Sequence, residues 1–407
     1  MNSLRINTKG KKMSNHVTYI MSQTYRILDN HSLSYAVNHY DSCDIIIYRK
    51  SEAQRQNKYF NEFIKDLKEK LHQFGEVSYV EDYHDISIRN DIILDQGYLH
   101  EELELEKHIV SESKYSVSVI ESNVVVPVRI TSNKEEYSAR TIRPKILKQI
   151  NNFIDPVLED KILSATELTA IEKTEKFINE KLPYYHLKNH PEFNYTSSLS
   201  VFLKYGIISP IRILLLLESS SHQNRNLFIE ELVIRRELAF NFVFYNKKYN
   251  IFENMTYQWA YNTMKDHISD DKAYIYDIDD YINYRTHDIY FNTAMKEMVH
   301  LGKMHGYMRM YWCKKIIEWS PTYKIAYETA VQLNNLYFFD GNTPNGYTGV
   351  AWCFGKHDRA WSERFIFGKI RYMNANGLRR KFNIDEYCKK VEKEVKRYEL
   401  SQTHNSN

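Results

Sequence analysis

The tryptophans of this 407-residue chain are the residues whose type and spacing suggest chemistry most directly. All 5 lie after residue 258, and Trp312 and Trp319 are seven positions apart in a segment that we predict to be helical. Seven positions are two helical turns, so these two indoles would share one face, about 10 Å apart along the axis. Such a pair is either a stripe of core residues or an electron relay toward a buried redox group. The spacing alone favours the core stripe.

Arg309 is a second candidate, because it stands among methionine and aromatic residues in Met304-His-Gly-Tyr-Met-Arg309. A buried guanidinium needs a carboxylate partner or an anionic ligand, and Asp340 in a later turn-rich segment is a plausible partner. The alternative is an exposed arginine on a solvated face. Glu231 and Glu237 also have a simple alternative role, since they could form i,i+4 pairs with Arg235 and its neighbours.

Basic residues collect near the end of the chain, although its overall charge is only 55 − 52 = +3. Any contact with nucleic acid must therefore use a local patch. Residues 369–400 hold ten Lys or Arg and five Asp or Glu, which suits a groove for a phosphate backbone. Most of these charges fit a solvated helix face equally well. Arg359 and Arg371 are better candidates for DNA contacts, because they are embedded in aromatic sequence.

Composition excludes several classes of protein. With 43% hydrophobic residues, 12 Gly and 8 Pro, the chain is neither disordered nor collagen-like. The 4 cysteines form no CxxC pair and indicate reduced thiols rather than disulfides or a zinc site, so we expect no metal. No P-loop, HExxH motif or nucleophile elbow is present. The longest aliphatic run, residues 211–217, is far too short for a membrane span. We therefore expect a cytoplasmic protein.

Two segments with different patterns define the expected fold. Short β-rich runs at 16–21, 44–48, 76–80, 91–94 and 116–120 alternate with helical stretches, the clearest at 52–74. This alternation predicts an α/β domain with a doubly wound, Rossmann-like parallel sheet over 16–135. After it we predict a linker at 136–160, extended at Arg140-Thr-Ile-Arg-Pro144, and a larger all-helical domain at 161–400. The predicted helices are 160–180, 198–219, 226–243, 257–267, 292–318 and 325–336.

The chain resembles the class II cyclobutane pyrimidine dimer photolyases over roughly residues 16–390. The resemblance rests on the segment 292–319, on Asp340-Gly-Asn-Thr-Pro-Asn-Gly-Tyr347, on His357-Asp-Arg-Ala-Trp361 and on Phe367-Gly-Lys-Ile-Arg-Tyr-Met373. Blocks in the N-terminal half also match, among them Asp95-Gln-Gly-Tyr98 and Thr141-Ile-Arg-Pro-Lys145. Together these blocks are far more specific than any one of them alone.

The resemblance implies an α/β antenna domain and a helical domain that holds FAD, active in its reduced form. Arg309 and Asp340 would form an ion pair beside the flavin ring, and Asn334 would face its N5 atom. The other expected cofactor contacts are Tyr184, Thr196, Ser197, Ser198, Leu199, Ser200 and Arg235. Hydroxyls at a helix start suit the phosphates, because helix N-termini favour anions. A second, antenna chromophore is possible, and no motif in the α/β domain identifies one.

The substrate implied by the resemblance is duplex DNA with a pyrimidine dimer, flipped out of the stack so that light-driven electron transfer can split it. Glu231 would hydrogen-bond the dimer, and Trp352, Arg359 and Arg371 would contact the dimer and the DNA. We expect a monomeric enzyme, a deoxyribodipyrimidine photolyase. The alternative is a blue-light receptor of cryptochrome type that binds FAD without repair. Repair of the (6-4) photoproduct is a further alternative, but the motif blocks do not resemble that branch.

One residue departs from the family pattern in the electron relay. Trp312 would be the member next to the flavin and Trp319 the distal member, yet Phe291 stands where the middle tryptophan is usual. Phenylalanine is much harder to oxidise than tryptophan. We therefore expect slow photoreduction of oxidised FAD, with repair retained when reduced FAD is supplied.

Overall fold

A computed structural model describes residues 3–50 and 52–404, and a six-stranded sheet organises the N-terminal part. Its strands lie in the order β1-β6-β5-β2-β3-β4, and all neighbouring strands are parallel except the antiparallel pair β1 and β6. The strands are β1 Ile6–Lys9, β2 His16–Met21, β3 Ser42–Tyr48, β4 Val77–Val80, β5 Asp91–Asp95 and β6 Val117–Ile120.

The predicted doubly wound sheet is confirmed. From β2 the chain moves outward to β3 and β4, then returns to β5 and β6 on the other side of β2, which is the order of a Rossmann-like sheet. Every residue of β5 and β6 is buried, as expected for parallel strands covered on both faces. The sequence analysis missed β1, because its exposed Asn-Thr-Lys segment carries no apolar signal and pairs only at the sheet edge.

Asp95 at the end of β5 anchors the segment that follows the neighbouring β2. Its carboxylate accepts backbone N–H groups from Ser22, Gln23 and Thr24 at 3.0, 3.0 and 3.1 Å. The Tyr19 hydroxyl donates to its other oxygen at 3.0 Å. A carboxylate that is only 2% exposed is tolerated here because these donors replace its hydration shell. Asp95, which belongs to one of the sequence blocks named above, thus has a structural role, because it holds the segment after β2 in place.

The remaining regular secondary structure of the described chain is helical. Around the sheet and directly after it lie α1 His31–His39, α2 Gln54–Leu71, α3 His100–Glu112, α4 Val128–Thr131, α5 Ala139–Gln149, α6 Ala165–Lys176, α7 Ser200–Lys204, α8 Pro210–Glu218, α9 Arg225–Ile229 and α10 Arg236–Tyr245. The C-terminal part holds α11 Gln258–Asp266, α12 Ile278–Ile282, α13 Ile289–Leu301, α14 Gly306–Trp319, α15 Tyr323–Tyr337, α16 Pro344–Cys353, α17 Ala375–Lys381 and α18 Ile384–His404.

Two predicted helices are each split in the structure. The single helix expected over 292–318 is wrong, because Gly302 ends α13 in the left-handed conformation, with φ +64°, and α14 starts anew at Gly306. The helix expected over 198–219 is also wrong. Gly206, at φ +59°, ends the short α7, and Ser209 then caps α8 ahead of Pro210. In both places the apolar spacing continues across the break, which hides it from periodicity.

The extended linker expected at residues 140–144 is wrong as well, since α5 runs through it. The Thr141 hydroxyl accepts the Ser138 N–H at 3.2 Å and fixes the start of the helix. Pro144 removes only the bond to the Arg140 carbonyl, and Arg140 is exposed, so water can satisfy that group. Burial of Ile142 and Ile146 outweighs the bias against helix before proline.

The chain divides into two compact units. The first unit comprises residues up to Pro183 together with Ser197–Tyr245, and the second comprises Tyr184–Thr196 and the residues from Asn246 onward. The first unit therefore contains the sheet and helices α1 to α10. The boundaries of the α/β antenna domain at 16–135, the linker at 136–160 and the helical FAD-binding domain at 161–400 stay a prediction.

The buried carboxyl group of Glu237 makes the stability of the first unit depend on pH. The carboxylate accepts the Val125 N–H at 2.6 Å, and burial raises its pKa from 4.5 to about 7. A carboxyl whose pKa is higher in the folded state binds more protons when folded, so stability falls as pH rises from about 4.5 to 7 and then levels. We expect Glu237→Gln to remove a fall of up to about 3 kcal/mol. Urea unfolding at several pH values measures it, and an unchanged pH profile in the variant would contradict this assignment.

Candidate active site

Arg309 on α14 and Asp340 in the turn after α15 form an ion pair within the second unit. The Arg309 Nη2 atom lies 2.8 and 3.1 Å from the two carboxylate oxygens of Asp340. The guanidinium stands 3.9 Å over the Phe338 ring, and its Nε donates to the Met304 carbonyl at 3.2 Å. The side chains keep 29% and 14% exposure, so the pair is anchored yet accessible to a ligand. This geometry joins the two residues that the sequence analysis paired.

His305 fixes where α14, and with it Arg309, begins. Burial lowers the pKa of the His305 imidazole to about 4, with nearby Lys390 adding to the effect, so the ring is neutral near pH 7. Its Nδ1 accepts the N–H of Tyr307 at 3.2 Å and thus caps the helix.

Asn334 lies in the last turn of α15, which packs tightly against the segment that follows the helix. Its side chain is 5% exposed. A Cβ on Gly341 would stand 2.4 Å from the Asn334 carbonyl oxygen, and one on Gly346 would stand 2.7 Å from the side-chain Nδ2. The two glycines therefore let the chain close around this amide. The Nδ2 atom donates to Asn335 Oδ1 at 2.9 Å, which orients the group.

Trp312, Trp319 and Phe291 occupy the facing sides of α13 and α14. Trp312 donates its indole N–H to the Met295 sulfur at 3.0 Å, and Trp319 packs on Phe291 with ring centroids 5.1 Å apart. Met295 is one turn beyond Phe291 on α13. Phe291 therefore lies on the same face as the residue that touches Trp312, while it contacts Trp319 directly. All three aromatic rings are buried.

Trp352, Arg371, Trp361 and Arg359 form an alternating stack of indoles and guanidinium groups. The Arg371 guanidinium stands 5.1 Å over Trp352 and 4.2 Å over Trp361, and the Arg359 guanidinium stands 5.0 Å over Trp361. Asp358 ties the stack together, because its Oδ2 lies 3.3 Å from the Trp361 indole nitrogen and 3.4 Å from Arg371 Nε. Trp361 keeps 37% exposure, so a flat aromatic and cationic surface faces solvent.

The hydroxyl-rich segment at 196–200 is divided between the units after Thr196. In the first unit, Ser198 has φ +57°, and the Leu199 N–H donates to the Ser197 hydroxyl at 3.4 Å. Ser198 and Ser200 are exposed, whereas Leu199 is buried. The helix that follows, α7, has only five residues, so the dipole argument made from the sequence contributes little. The hydroxyls themselves remain available to a ligand.

Glu231 and Arg235 lie on a π-helical segment, Glu230–Arg235, between α9 and α10 in the first unit. Wide π turns of this kind are frequent at functional sites. Both side chains are exposed, and the Arg235 Nε donates to Glu230 at 3.0 Å. Arg143 makes a two-pronged contact with the same Glu230 at 2.9 and 2.8 Å. Burial acts to raise the pKa of Glu230, but the hydrogen bonds and positive charges of Arg143 and Arg235 outweigh that effect and the pKa is lowered.

The predicted site residues thus fall into two sets. The second unit holds Tyr184 and Thr196 besides the ion pair, Asn334, the relay residues and the stack, and the Tyr184 ring stacks on Tyr195 at 5.0 Å. The first unit holds Ser197 to Ser200, Glu231 and Arg235. Their roles stay predictions.

The sequence analysis did not single out Trp361 and Asp358 as site residues. Both lie in the block His357-Asp-Arg-Ala-Trp361, and a tryptophan two positions after a candidate arginine was the available signal. Among residues 3–50 and 52–404, no group of three His, Cys, Asp or Glu side chains is placed to hold a metal ion. In the same described part, no helix has the length and apolar character needed to cross a membrane.

Comparison with known proteins finds similar sequences and similar folds. No family model matches the sequence. The chain is 37% identical to a deoxyribodipyrimidine photo-lyase of Methanothermobacter thermautotrophicus, covering 92% of this chain and 94% of the relative. It is 36% identical to the photo-lyase of that name from Potorous tridactylus, covering 67% of this chain and 58% of that protein. A photolyase from Sulfolobus tokodaii, solved with two FAD molecules, superposes with a TM-score of 0.69 at 13% identity, covering 92% and 89% of the two chains.

Proposed function

The chain belongs to the deoxyribodipyrimidine photolyase family, and we propose that it is a class II enzyme that repairs cyclobutane pyrimidine dimers in DNA under light. The observation that carries the proposal is the 37% identity along nearly the full length of a photo-lyase. The assignment to class II rests on the motif blocks at 292–319, 340–347 and 357–373, which resemble that class.

FAD is the cofactor that the family implies, and the polar groups of the second unit suit it. The Arg309–Asp340 pair is anchored on Phe338 but remains partly accessible, and the Asn334 amide is buried and oriented by its hydrogen bond to Asn335. A guanidinium, a carboxylate and a primary amide together offer the donors and acceptors that a flat, polar flavin ring requires. In the first unit, the hydroxyls of Ser197, Ser198 and Ser200 suit ribityl and phosphate oxygens.

Reduced FAD, when bound and excited by light, would supply the electron that opens the cyclobutane ring and then take it back. The residues of this chain perform the placement. Arg309 and Asp340 would hold the flavin ring, and Asn334 would offer it a neutral amide rather than an acid, which would favour the anionic reduced flavin. Glu231 hydrogen-bonds the flipped dimer, and Trp352 packs against it. Arg359 enters the vacated duplex. No net oxidation occurs, so repair consumes no second substrate.

The proposal also covers the oligomeric state, the location and a second chromophore. The protein acts as a monomer in the cytoplasm, where it has access to chromosomal DNA. A second, light-harvesting chromophore is compatible with the α/β domain, and the described residues contain no motif that identifies it.

A blue-light receptor of cryptochrome type is the second candidate, because it would share the fold and the flavin. The exposed stack of Trp352, Arg371, Trp361 and Arg359 favours repair, since a receptor has no need of a surface for damaged DNA. Binding in the dark separates the two functions. We expect the flavin-loaded protein to bind an oligonucleotide with one thymine dimer at least tenfold more tightly than the undamaged one, about 1.4 kcal/mol. Equal affinities would favour the receptor.

Arg371 should contribute a phosphate contact that salt can reveal. Each neutralised phosphate contributes about −0.9 to the slope of log affinity against log salt. We expect Arg371→Ala to make that slope less steep by about 0.9. Arg285→Ala is a matched control in the same unit, because Arg285 is exposed and pairs with Asp280 at 3.1 Å. An unchanged slope in Arg371→Ala would remove this residue from the DNA interface.

A further inference from the structure

Lys314, in the middle of α14, has 0% exposure, which is unusual for a residue that carries a charge. Its Nζ donates to the Cys353 carbonyl and lies 6.0 Å over the Trp352 ring. Burial is the main cause that lowers the pKa of this ammonium. An apolar side chain of similar volume would avoid that desolvation cost and often stabilises a core. The desolvation cost must therefore be offset by what the ammonium does for the segment that it contacts.

The backbone carbonyl of Cys353, the last residue of α16, accepts a hydrogen bond from Lys314. Ala351 accepts the N–H groups of Phe354 and Lys356 at 2.9 and 3.1 Å, and Trp352 accepts that of Gly355 at 3.0 Å. The Lys314 ammonium takes the next carbonyl, at the helix end where a positive charge is favoured. It thus acts as a buried C-cap delivered by a neighbouring helix.

The segment that follows this cap bears the stack. The chain turns sharply at Gly355 with φ +101° and at His357 with φ +57°, and then reaches Asp358. Asp358 Oδ1 accepts the Arg359 N–H at 2.9 Å, and its other oxygen contacts Trp361 and Arg371. Trp352 stands one residue before the capped carbonyl. A shift at the cap would therefore move Trp352 and the start of the turn together.

We propose that Lys314 is a positioning residue for lesion binding, which sets the orientation of Trp352 and of the turn at 354–359 without touching DNA. The inference rests on the proposed function, since it assigns a purpose to the dimer contact of Trp352. Lys315, the next residue, makes a useful contrast. It is 6% exposed, but it pairs with Glu318 at 2.6 Å and lies over the Tyr311 and Trp319 rings, all on its own helix α14.

The test compares Lys314→Met with Lys315→Met in dark binding to dimer-bearing and undamaged oligonucleotides. We expect Lys314→Met to lose about tenfold or more of the dimer affinity, with unchanged affinity for undamaged DNA and an unchanged salt slope. Lys315→Met should keep the dimer preference. Flavin content and the thermal midpoint, measured for both variants, report any general loss of structure.

Three outcomes would count against the inference in different ways. A dimer preference retained by Lys314→Met would overturn it. A parallel loss of affinity for undamaged DNA with a shallower salt slope would replace it with a direct phosphate contact. No dimer preference in the wild type would overturn the proposed function and this inference together.

A second arm decides the matter if Lys314→Met does not fold. Because the pKa of the Lys314 ammonium is lowered from 10.5, we expect the wild-type dimer preference to decline as pH rises toward 10.5, where this ammonium loses its charge before an ordinary lysine does. Cys313, Cys353, Asp358 and Arg371 are the ionisable groups that act on it. Lys314→Arg keeps a cation throughout this range, so its preference should stay flat. Identical pH profiles for the two proteins would overturn the inference.

Discussion

Replacing Phe291 by tryptophan is expected to accelerate the light-driven reduction of oxidised FAD by about tenfold or more, equivalent to a barrier lower by ~1.4 kcal/mol. Phe291 packs on Trp319 with centroids 5.1 Å apart, and Met295, one turn further along α13, touches Trp312. A tryptophan at position 291 would therefore place an oxidisable ring between the two indoles. Transient absorption of the loaded protein with an external reductant measures the rate.

The double variant Phe291→Trp with Trp312→Phe is the matched control. If the hole leaves the flavin through Trp312, removal of that ring should cancel the gain. Because Phe291 is fully buried, the larger indole is expected to cost about 1–3 kcal/mol of stability, so flavin content must be matched before rates are compared. An unchanged rate in Phe291→Trp would mean that electrons reach the flavin by another route.

Replacing Glu231 by alanine is expected to slow repair about 10- to 100-fold at saturating light while FAD stays bound. The reason is that the Glu231 carboxylate accepts hydrogen bonds, so it can hold the flipped dimer through a base N–H group and fix the orientation that electron transfer requires. Glu231 is exposed on the π segment, where its side chain can meet a ligand. Repair with chemically reduced protein, followed as dimer loss under blue light, measures the effect.

Glu231→Gln is the conservative comparison, because the amide oxygen can still accept a hydrogen bond from the dimer although the negative charge is lost. We expect its repair rate to lie between those of the wild type and Glu231→Ala. Loss of flavin in Glu231→Ala would contradict the assigned role and would make the residue part of the cofactor site.

The parallel strands could be predicted from the sequence because each is a short β-rich run separated from the next by a helical stretch. Breaks in helices could not. Gly302 ends α13 although the apolar spacing continues into α14, and only its left-handed conformation reveals the stop. Pro144 led to the opposite error, since a helical segment was predicted to be extended. A capping contact from Thr141 and the burial of neighbouring side chains outweighed the bias against helix before proline.

In the candidate site, too, the sequence revealed residues whose surroundings along the chain are unusual and missed residues whose partners only the fold brings close. Arg309 could be identified because a cation in apolar sequence needs a partner, and Asp340 supplies it at 2.8 Å. Lys314 stands in the same apolar helix, yet its partner is a backbone carbonyl, which no side-chain pattern records. Asp358 likewise became visible only when the fold placed Arg371 and Trp361 within 3.4 Å of one of its carboxylate oxygens.

The most direct test of light-dependent repair is an anaerobic assay with protein reduced by dithionite and an oligonucleotide that carries one thymine dimer. Parallel samples are kept in blue light and in darkness, and dimer loss is followed by chromatography. Supplying reduced flavin removes the relay through Phe291 from the measurement. We predict dimer loss in the light and none in the dark. A flavin-loaded protein that binds the oligonucleotide but leaves the dimer intact in the light would contradict the account.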